Sequence, residues 1–260
     1  MDELAASRRA RLEDLVAADG FLRVSEAAAT LGVSEVTIRA DLQALDAAGR
    51  VRRVHGGAMA LRSEQREASV EATSRREAEQ KQAIGRAAAA LVENGSSILL
   101  DVGSTVHAVA RALVARTDLT DLVVVTNGLG IALALEPAIP RFTVVVTGGT
   151  LRPLQHSLVD PVASTTLADL HVDVAILGCN GIDRRGAVTN VNLPEAEVKR
   201  AMLRSATSAV LVAEGSKVGQ RHLGRIGELA DFATVVTSSR GAELLAAIPG
   251  ERTTRVVAVG

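Results

Sequence analysis

The chain has 260 residues, which is longer than one average domain and shorter than three, so its length predicts two unequal domains. Hydrophobic residues make up 47% of it and charged residues 23%, and the formal net charge is -1, so it can bury a sizeable core but has no overall attraction to nucleic acid or membrane. Aromatic residues are only 1%, which argues against a protein that stacks single-stranded bases on aromatic side chains.

The sequence shows no membrane-spanning segment and no signal peptide. No apolar run approaches the roughly 20 residues that span a bilayer, and the N-terminus lacks the apolar stretch of a signal peptide. The single Cys179 cannot form an intramolecular disulfide, which agrees with a reducing compartment. We therefore expect a cytoplasmic location.

The first sixty residues predict three helices, and a turn at Gly32 joins the second to the third. Ser25 is predicted to cap the second helix, and Ser34 to cap a third helix that ends at Gly49. Three apolar residues share one core-facing stripe of that helix: Ile38, Leu42 and Leu45. Two helices with a glycine-bearing turn between them are typical of a helix-turn-helix motif.

A short basic ribbon follows, in which residues 50–57 alternate basic and apolar side chains before a glycine pair and predict a small wing. No acidic residue lies between Asp46 and Glu64, so the positive charge there is local. The first turn of a recognition helix enters the major groove, where hydroxyl, amide and guanidinium groups reach phosphates and base edges. The third helix offers such groups at four positions: Ser34, Thr37, Arg39 and Gln43.

The next segment, from Met59 to Gln82, is rich in charge and poor in large apolar residues, which predicts a solvated linker helix that includes Lys81. Beyond it, seven apolar runs of strand length alternate with helical segments: 97–100, 122–125, 142–146, 172–177, 209–212, 234–236 and 255–259. Near-continuous Val, Ile and Leu runs predict strands buried on both faces of a mainly parallel sheet. We therefore predict three parts: a winged helix-turn-helix domain (1–58), a linker (59–82) and an α/β domain (83–260).

Polar loops follow several of these strands, at the sheet edge where open α/β sheets bind ligands. Residues 101–105, Asp-Val-Gly-Ser-Thr, end a strand and open a helix, so backbone N–H groups and two hydroxyls there can bind an anion. Further loops contribute Thr126, Asn127, Gly148, Gly149 and Asn180. Lys217 is the cation best placed to reach a ligand phosphate, whereas Lys199 and Arg200 are expected on a solvated helix face.

The run from Leu31 to Leu42, Leu-Gly-Val-Ser-Glu-Val-Thr-Ile-Arg-Ala-Asp-Leu, and the Arg-Val-His-Gly-Gly-Ala run from Arg53 to Ala58 closely resemble the DeoR family of bacterial transcription regulators. The family usually has a second arginine where this chain has Ala40. The resemblance implies that the chain reads double-stranded DNA with the recognition helix and wing. The predicted DNA contacts are Ser34, Glu35, Thr37, Arg39, Gln43, Arg52, Arg53 and His55.

The remainder resembles the family's C-terminal sensor domain, in the loop at 101–105, the Glu-Ala-x-Val-Lys-Arg run from Glu195 and the Ser-Lys-x-Gly run from Ser216. That domain is similar to sugar-phosphate isomerases, so the fold implied is a small all-α winged helix-turn-helix domain plus a Rossmann-like, isomerase-related, mainly parallel sheet with flanking helices. By this resemblance the phosphate of an effector is held by Gly103, Ser104, Thr105 and Lys217. The sugar lies near Asp101, Asn127, Asn180 and Glu195. Departures from the family pattern occur at Cys179, Asn180 and Asp160.

These features together predict a sequence-specific DNA-binding regulator, with repression as the family expectation, whose operator binding is modulated by a phosphorylated sugar or related metabolite. We expect a homo-oligomer, a dimer or tetramer, that places two wings on two half-sites. No cofactor, metal or catalytic residue is predicted, since the five histidines lack metal-ligand spacing with each other or with Cys179, itself expected to be a small buried thiol. The alternative is a sugar-phosphate isomerase fused to a DNA-binding domain, with Glu195 as general base.

Overall fold

The computed structural model describes residues 8–13, 15–16, 21–48, 50–54, 56–60, 73, 77–249 and 253–260. The chain divides into two compact units, Met1–Arg66 and Glu67–Gly260. None of the helices in the described ranges is long and apolar enough to cross a membrane.

The first unit contains the predicted helix-turn-helix. Residues 8–13 and 15–16 are helical and precede α1 (Val24–Leu31) and α2 (Glu35–Ala47). Gly32 ends α1 in the left-handed conformation, with a φ of 65° that glycine adopts without steric cost. The apolar stripe of α2 is buried as expected, because Ile38, Leu42 and Leu45 are at most 6% exposed. The predicted cap Ser25 is wrong, since the N-cap of α1 is Arg23, two residues earlier, and Ser25 lies inside the helix.

A three-stranded antiparallel sheet completes this unit, formed by β1 (Phe21–Arg23), β2 (Val51–Val54) and β3 (Gly57–Ala60) in the order β1-β3-β2. The hairpin of β2 and β3 confirms the predicted wing. Strand β1 was not expected, because three residues are too few to show an alternating pattern. Strand β3 continues to Ala60, past residue 58, where we predicted the domain to end.

The second unit has twelve described strands: β4 (Ser97–Leu100), β5 (Leu122–Thr126), β6 (Phe142–Val146), β7 (Thr150–Arg152), β8 (Ser157–Val159), β9 (Val172–Gly178), β10 (Gly181–Ile182), β11 (Ala187–Asn190), β12 (Ala206–Val212), β13 (Gly224–Glu228), β14 (Thr234–Ser238) and β15 (Arg255–Val259). Seven of them form one parallel sheet in the order β15-β14-β12-β9-β4-β5-β6, which confirms all seven predicted strands. The others form a β7–β8 hairpin and a small β10-β11-β13 sheet, neither of which was predicted.

Six α-helices of the described residues flank the main sheet: α3 (Ala78–Ala89), α4 (Ser104–Ala115), α5 (Leu129–Leu135), α6 (Val162–Ala168), α7 (Leu193–Arg204) and α8 (Ser239–Ala246). Two apolar clusters lie on opposite faces, one with side chains of α3, α4 and α5, the other with side chains of α6, α7 and α8. Successive residues of the central strands point to opposite faces of the sheet. In β4, Ile98 and Leu100 pack in the cluster with α3, α4 and α5, while Leu99 packs in the cluster with α6, α7 and α8.

The order of the strands locates a crevice. From the central β4 the chain moves outward through β5 to β6, then crosses to β9 on the other side of β4 and continues outward to β15. The direction therefore reverses between β4 and β9. Open parallel sheets bind ligands at the carboxyl ends of strands beside such a reversal.

Candidate functional site

In the first unit, the candidate DNA-reading surface is the start of α2. Ser34 caps this helix as predicted, because its Oγ accepts the Thr37 N–H at 3.2 Å and lies 2.9 Å from the Thr37 hydroxyl. Ser34, Glu35, Arg39 and Gln43 are exposed, and Thr37 is half-buried. Val36 is 72% exposed, although it is a large apolar side chain. This surface therefore offers hydroxyl, amide and guanidinium groups together with an apolar contact.

The charges on α2 are partly neutralised within the helix. Arg39 Nη2 lies 2.5 Å from Glu35 Oε2, one helical turn away, and both side chains are about half exposed, 55% and 46%. Asp41 has a different environment, since it is 2% exposed and accepts the Nε groups of Arg8 and Arg9. Asp41 therefore ties α2 to the first helical segment, while Arg39 remains on the surface.

Of the described basic residues of the predicted wing, one is paired with an acid. Arg50 forms two hydrogen bonds to the Glu13 carboxylate, at 2.7 and 2.6 Å. Arg53 has an exposed side chain, and its backbone N–H donates to Asp46 at 3.1 Å. His55 and the side chain of Arg52 lie outside the described residues. Arg53 is therefore the described basic residue of β2 that faces solvent.

In the second unit, Asp101 occupies the reversal between β4 and β9. It follows β4, is fully buried and accepts the Gly178 N–H from the end of β9 at 2.9 Å. Lys199 of α7 forms a buried ion pair with the same carboxylate oxygen. Burial raises the pKa of Asp101, while Lys199 acts in the opposite direction. The expectation that Lys199 is solvated is wrong, because α7 packs this face against the sheet and the lysine is 3% exposed.

Glu195 lies one helical turn before Lys199 and belongs to a second polar cluster. Its Oε1 accepts the Ser157 hydroxyl at 2.6 Å and forms an ion pair with Arg152. Asn190 Nδ2 lies 3.4 Å from Oε2. Ser157 and Arg152 belong to the β7–β8 hairpin, so this hairpin is bonded to the N-terminal turn of α7.

The loop after β4 begins α4 without a capping side chain. Its N-cap is Gly103, whose φ of 111° is strained for other residues, and among the described residues no side-chain hydrogen bond caps the first N–H groups of the helix. Ser104 is partly exposed. The Thr105 hydroxyl donates to Glu214 Oε1 at 2.8 Å. Uncapped N–H groups at a helix start are an anion-binding arrangement.

The remaining predicted loop residues lie along the same edge. Thr126 and Asn127, at the end of β5, are buried, and Asn127 Nδ2 donates to the Leu158 carbonyl at 3.0 Å. Asn180 Oδ1 accepts the Val191 N–H at 2.8 Å. Gly148 and Gly149 have positive φ values of 75° and 130°, and a Cβ on Gly149 would lie 2.4 Å from the Val159 oxygen. Glycine is therefore required at 149 for the close approach to β8.

Four charged groups influence the thiol of Cys179, next to the end of β9. The positive charges of Lys217 and Lys199 and the negative charges of Glu214 and Asp101 all act on its thiol, while burial raises the pKa of the thiol to about 12. Lys217 is half-buried, and within the described part of the chain its Nζ has no ion pair or hydrogen bond. Two buried oxygens, Asp101 Oδ1 and Asn127 Oδ1, likewise lack a partner there.

Sequence reasoning missed several side chains that the fold places in these clusters: Val36, Lys81, Arg152, Ser157, Lys199 and Glu214. A signal existed for Lys199, because it lies four residues after Glu195 and shares its helix face. Glu214 lies two residues after β12, and Asp101 lies directly after β4. Arg152 and Ser157 gave no signal, because their role depends on a tertiary contact. Asp160, which precedes the N-cap residue Pro161 of α6, accepts the Ser164 N–H at 3.0 Å, a local reason for one departure from the family pattern.

Comparisons with known proteins agree with this two-part organisation. Residues 8–64 match the model of the DeoR-like helix-turn-helix domain, and residues 76–239 match that of the DeoR C terminal sensor domain. Among solved structures, ribose 5-phosphate isomerase A from Methanocaldococcus jannaschii has 19% identity and a TM-score of 0.38 over 53% of each chain. A score this low says nothing about function.

Curated relatives extend over most of the chain. The HTH-type transcriptional repressor CsqR of Escherichia coli is 34% identical over 88% of this chain and 86% of its own. The glycerol-3-phosphate regulon repressor of Haemophilus influenzae is 34% identical over 88% of both chains, and the one from Escherichia coli is 30% identical over 87% and 88%. With both family models matched and these relatives covered almost throughout, the chain belongs to the DeoR family of DNA-binding transcription regulators.

Proposed function

We propose that this regulator is a repressor whose affinity for its operator changes when a small phosphorylated metabolite binds at the carboxyl ends of β4, β5, β9 and β12. The observations that carry the proposal are the open start of α4 and the half-buried Lys217 in the loop after β12, whose Glu214 accepts the Thr105 hydroxyl of α4. The first N–H groups of that helix have no capping side chain, and Lys217 has no ionic partner within the described residues. A phosphate group can accept hydrogen bonds from the uncapped N–H groups of α4 and form an ion pair with Lys217.

The other end of the ligand is proposed to carry hydroxyl groups. Asp101 Oδ1 and Asn127 Oδ1 are buried acceptors without a donor in the described structure, and they follow the adjacent strands β4 and β5. Buried acceptors are normally paired, so hydroxyl donors from a ligand, or water, suit this position. Relatives named as glycerol-3-phosphate regulon repressors support a phosphorylated polyol as the first candidate.

We propose that α2 reads the operator from the major groove through Ser34, Glu35, Thr37, Arg39 and Gln43, with Arg52, Arg53 and His55 from the wing. Val36 is added to this set, because an exposed apolar side chain at the start of a recognition helix can contact a thymine methyl group. Since Arg39 is paired with Glu35 in the free protein, DNA must compete with that carboxylate for the guanidinium.

The isomerase alternative is disfavoured by family membership and by the surroundings of Glu195. Arg152 and Ser157 occupy one carboxylate oxygen and Asn190 approaches the other, so the group that would act as base already accepts several hydrogen bonds. We propose that Glu195 positions the hairpin and takes no part in catalysis. Interconversion of pentose or hexose phosphates that is lost in Glu195→Gln would contradict this.

The working protein is proposed to be a homo-oligomer in the cytoplasm. A helix-turn-helix protein commonly reads two half-sites with two copies of its recognition helix, which requires at least a dimer. A protein that binds the chromosome must also share its compartment.

The test is fluorescence anisotropy with DNA from upstream of the protein's own gene, at fixed salt, with a panel of glycerol 3-phosphate, inorganic phosphate and phosphorylated pentoses and hexoses. We expect tight binding that one compound relieves. Lys217→Ala should abolish the response and leave operator affinity unchanged, while Arg204→Ala, an exposed residue of α7, serves as control. A full response in Lys217→Ala would remove that residue from the site.

For the DNA surface, Arg39→Ala should weaken operator binding by about 1–3 kcal/mol if the guanidinium reads a base. Arg39→Ala also leaves the Glu35 carboxylate unpaired, and this negative charge would repel DNA. The double variant Glu35→Gln/Arg39→Ala removes that charge, so any loss of affinity that remains reports the contact of Arg39 with DNA. An equal loss on random DNA would instead assign Arg39 to a phosphate.

A further inference from the structure

The second unit contains a buried ion pair outside the proposed binding set. Lys81 of α3 and Glu214, which follows β12, are 3% and 5% exposed. Lys81 Nζ lies 3.4 Å from Glu214 Oε1. Lys81 was expected in a solvated linker helix, and this is wrong, because α3 packs against the sheet and carries the lysine inside.

Polar contacts continue from both ends of this pair. On one side, the Thr105 hydroxyl from the first turn of α4 donates to Glu214 Oε1 at 2.8 Å. On the other side, Lys81 Nζ donates to the Thr73 carbonyl oxygen at 2.5 Å. A continuous series of contacts therefore links the proposed phosphate loop to Thr73, which precedes α3 in the chain.

The Thr105 hydroxyl gives this series two alternative states. A hydroxyl has one proton to donate, so Thr105 cannot donate to Glu214 and to a bound anion at the same time. When the Thr105 hydroxyl donates its hydrogen bond to a bound anion instead, Lys81 is the remaining described donor to Glu214 Oε1. The anion also adds a negative charge near the Glu214 carboxylate. Charges interact strongly in a buried site, so we expect the contact between Lys81 and Glu214 to change with occupancy of the loop, and with it the contact of Lys81 with the Thr73 carbonyl.

We infer that Lys81 and Glu214 transmit occupancy of the β4–α4 loop to the chain around Thr73, and so couple effector binding to the DNA-binding part of the protein. This inference rests on the proposed function for its biological meaning. Lys81 and Glu214 are positioning residues, because they act through Thr105 and Thr73 and are assigned no contact with effector or DNA. The two-state element is the Thr105 hydroxyl.

The coupling can be tested without a ligand, by hydrogen exchange of the α3 amides in the full chain. Thr105→Val removes the hydroxyl proton and keeps the shape of the side chain. It should change exchange in α3 by roughly threefold or more in the wild-type background. In the Lys81→Met/Glu214→Gln background it should change nothing, because the ammonium group that joins position 214 to the Thr73 carbonyl is gone.

The double background removes both charges, since Lys81→Met alone would strand a buried carboxylate and could unfold the protein. Thr105→Ser keeps the donor and should behave as wild type, and Arg86→Gln controls for a lost charge on the exposed side of α3. The inference is overturned if Thr105→Val has no effect on α3, or has the same effect in both backgrounds.

A second measurement uses the ligand panel. Lys81→Met/Glu214→Gln should bind glycerol 3-phosphate or inorganic phosphate within about threefold of wild type by calorimetry, while the operator response falls at least about tenfold. Binding with an intact response would overturn the inference and leave the proposed function standing. No binding to the wild type would reject the proposed effector class, while the exchange experiment would still decide the coupling.

Discussion

Buried charged side chains concentrate at the carboxyl ends of the main strands of the second unit. Asp101 pairs with Lys199, Glu214 with Lys81, and Glu195 with Arg152. Burial is costly for a single charge and tolerable for a pair with further hydrogen bonds, so each pair restrains the elements that carry it. These restraints position the loops around the proposed effector site.

Lys199→Met should lower the free energy of unfolding by about 3–5 kcal/mol at pH 7, because it leaves the Asp101 carboxylate buried and unpaired. Without the lysine, burial holds the pKa of Asp101 above its unfolded value, so the carboxyl becomes neutral as the pH falls. The deficit should therefore be smaller at pH 5 than at pH 7 in urea unfolding. Arg204→Met, on an exposed part of the same helix, should change stability by less than about 0.5 kcal/mol. A deficit independent of pH would contradict this assignment.

Cys179 should react slowly with iodoacetamide in the native protein. Burial raises the pKa of its thiol from 9.0 to about 12, so the thiolate fraction at pH 8 is about a thousandfold lower. The rate should rise by about that factor when urea unfolds the chain, as measured by mass spectrometry. Native and unfolded rates within tenfold of each other would show that the thiol is not protected.

At the scale of elements, the start of the recognition helix depends on one serine. Ser34→Ala removes the oxygen that accepts the Thr37 N–H, so it should destabilise the first unit by about 1 kcal/mol. Ser25→Ala is the matched control, since this exposed serine lies inside the first turn of α1 and has no capping bond. Thermal unfolding followed by circular dichroism distinguishes the two, and equal losses would mean that Ser34 does not act as a cap.

The helix α7 and the β7–β8 hairpin form the second element-scale arrangement. Glu195 and Lys199 share one face of α7 and contact the hairpin and Asp101 respectively. The sequence predicted a helical segment between the strands at 172–177 and 209–212, and α7 (Leu193–Arg204) occupies it. The three-residue strands of the hairpin are too short to show a periodic pattern, so Arg152 and Ser157 could not be assigned from sequence.

At the scale of the whole molecule, the operator should consist of two half-sites on one face of the DNA. Inserting about 5 base pairs between them turns one half-site to the opposite face and should weaken binding at least tenfold, while about 10 base pairs should restore most of it. Anisotropy gives the affinities, and analytical ultracentrifugation gives the number of chains per operator. One chain per operator with affinity insensitive to spacing would rule out paired reading.

Local patterns in the sequence were enough to predict the helix-turn-helix, the wing, the seven strands of the main sheet and the family. These depend on local periodicity, on caps and glycine turns, and on motifs that are contiguous in the chain. The sequence also placed Asp101 and Asn127 at strand ends, because a buried apolar run followed by a polar loop defines such an end.

The tertiary structure alone decided which charged residues are buried together. Lys81 lies 133 positions before Glu214, and Lys199 lies 98 after Asp101, so no local pattern joins them. A lysine on a charged helix looks solvated until the packing of that helix shows which face meets the sheet. Burial and pairing follow from the order of strands and the packing of helices, and these are properties of the whole fold.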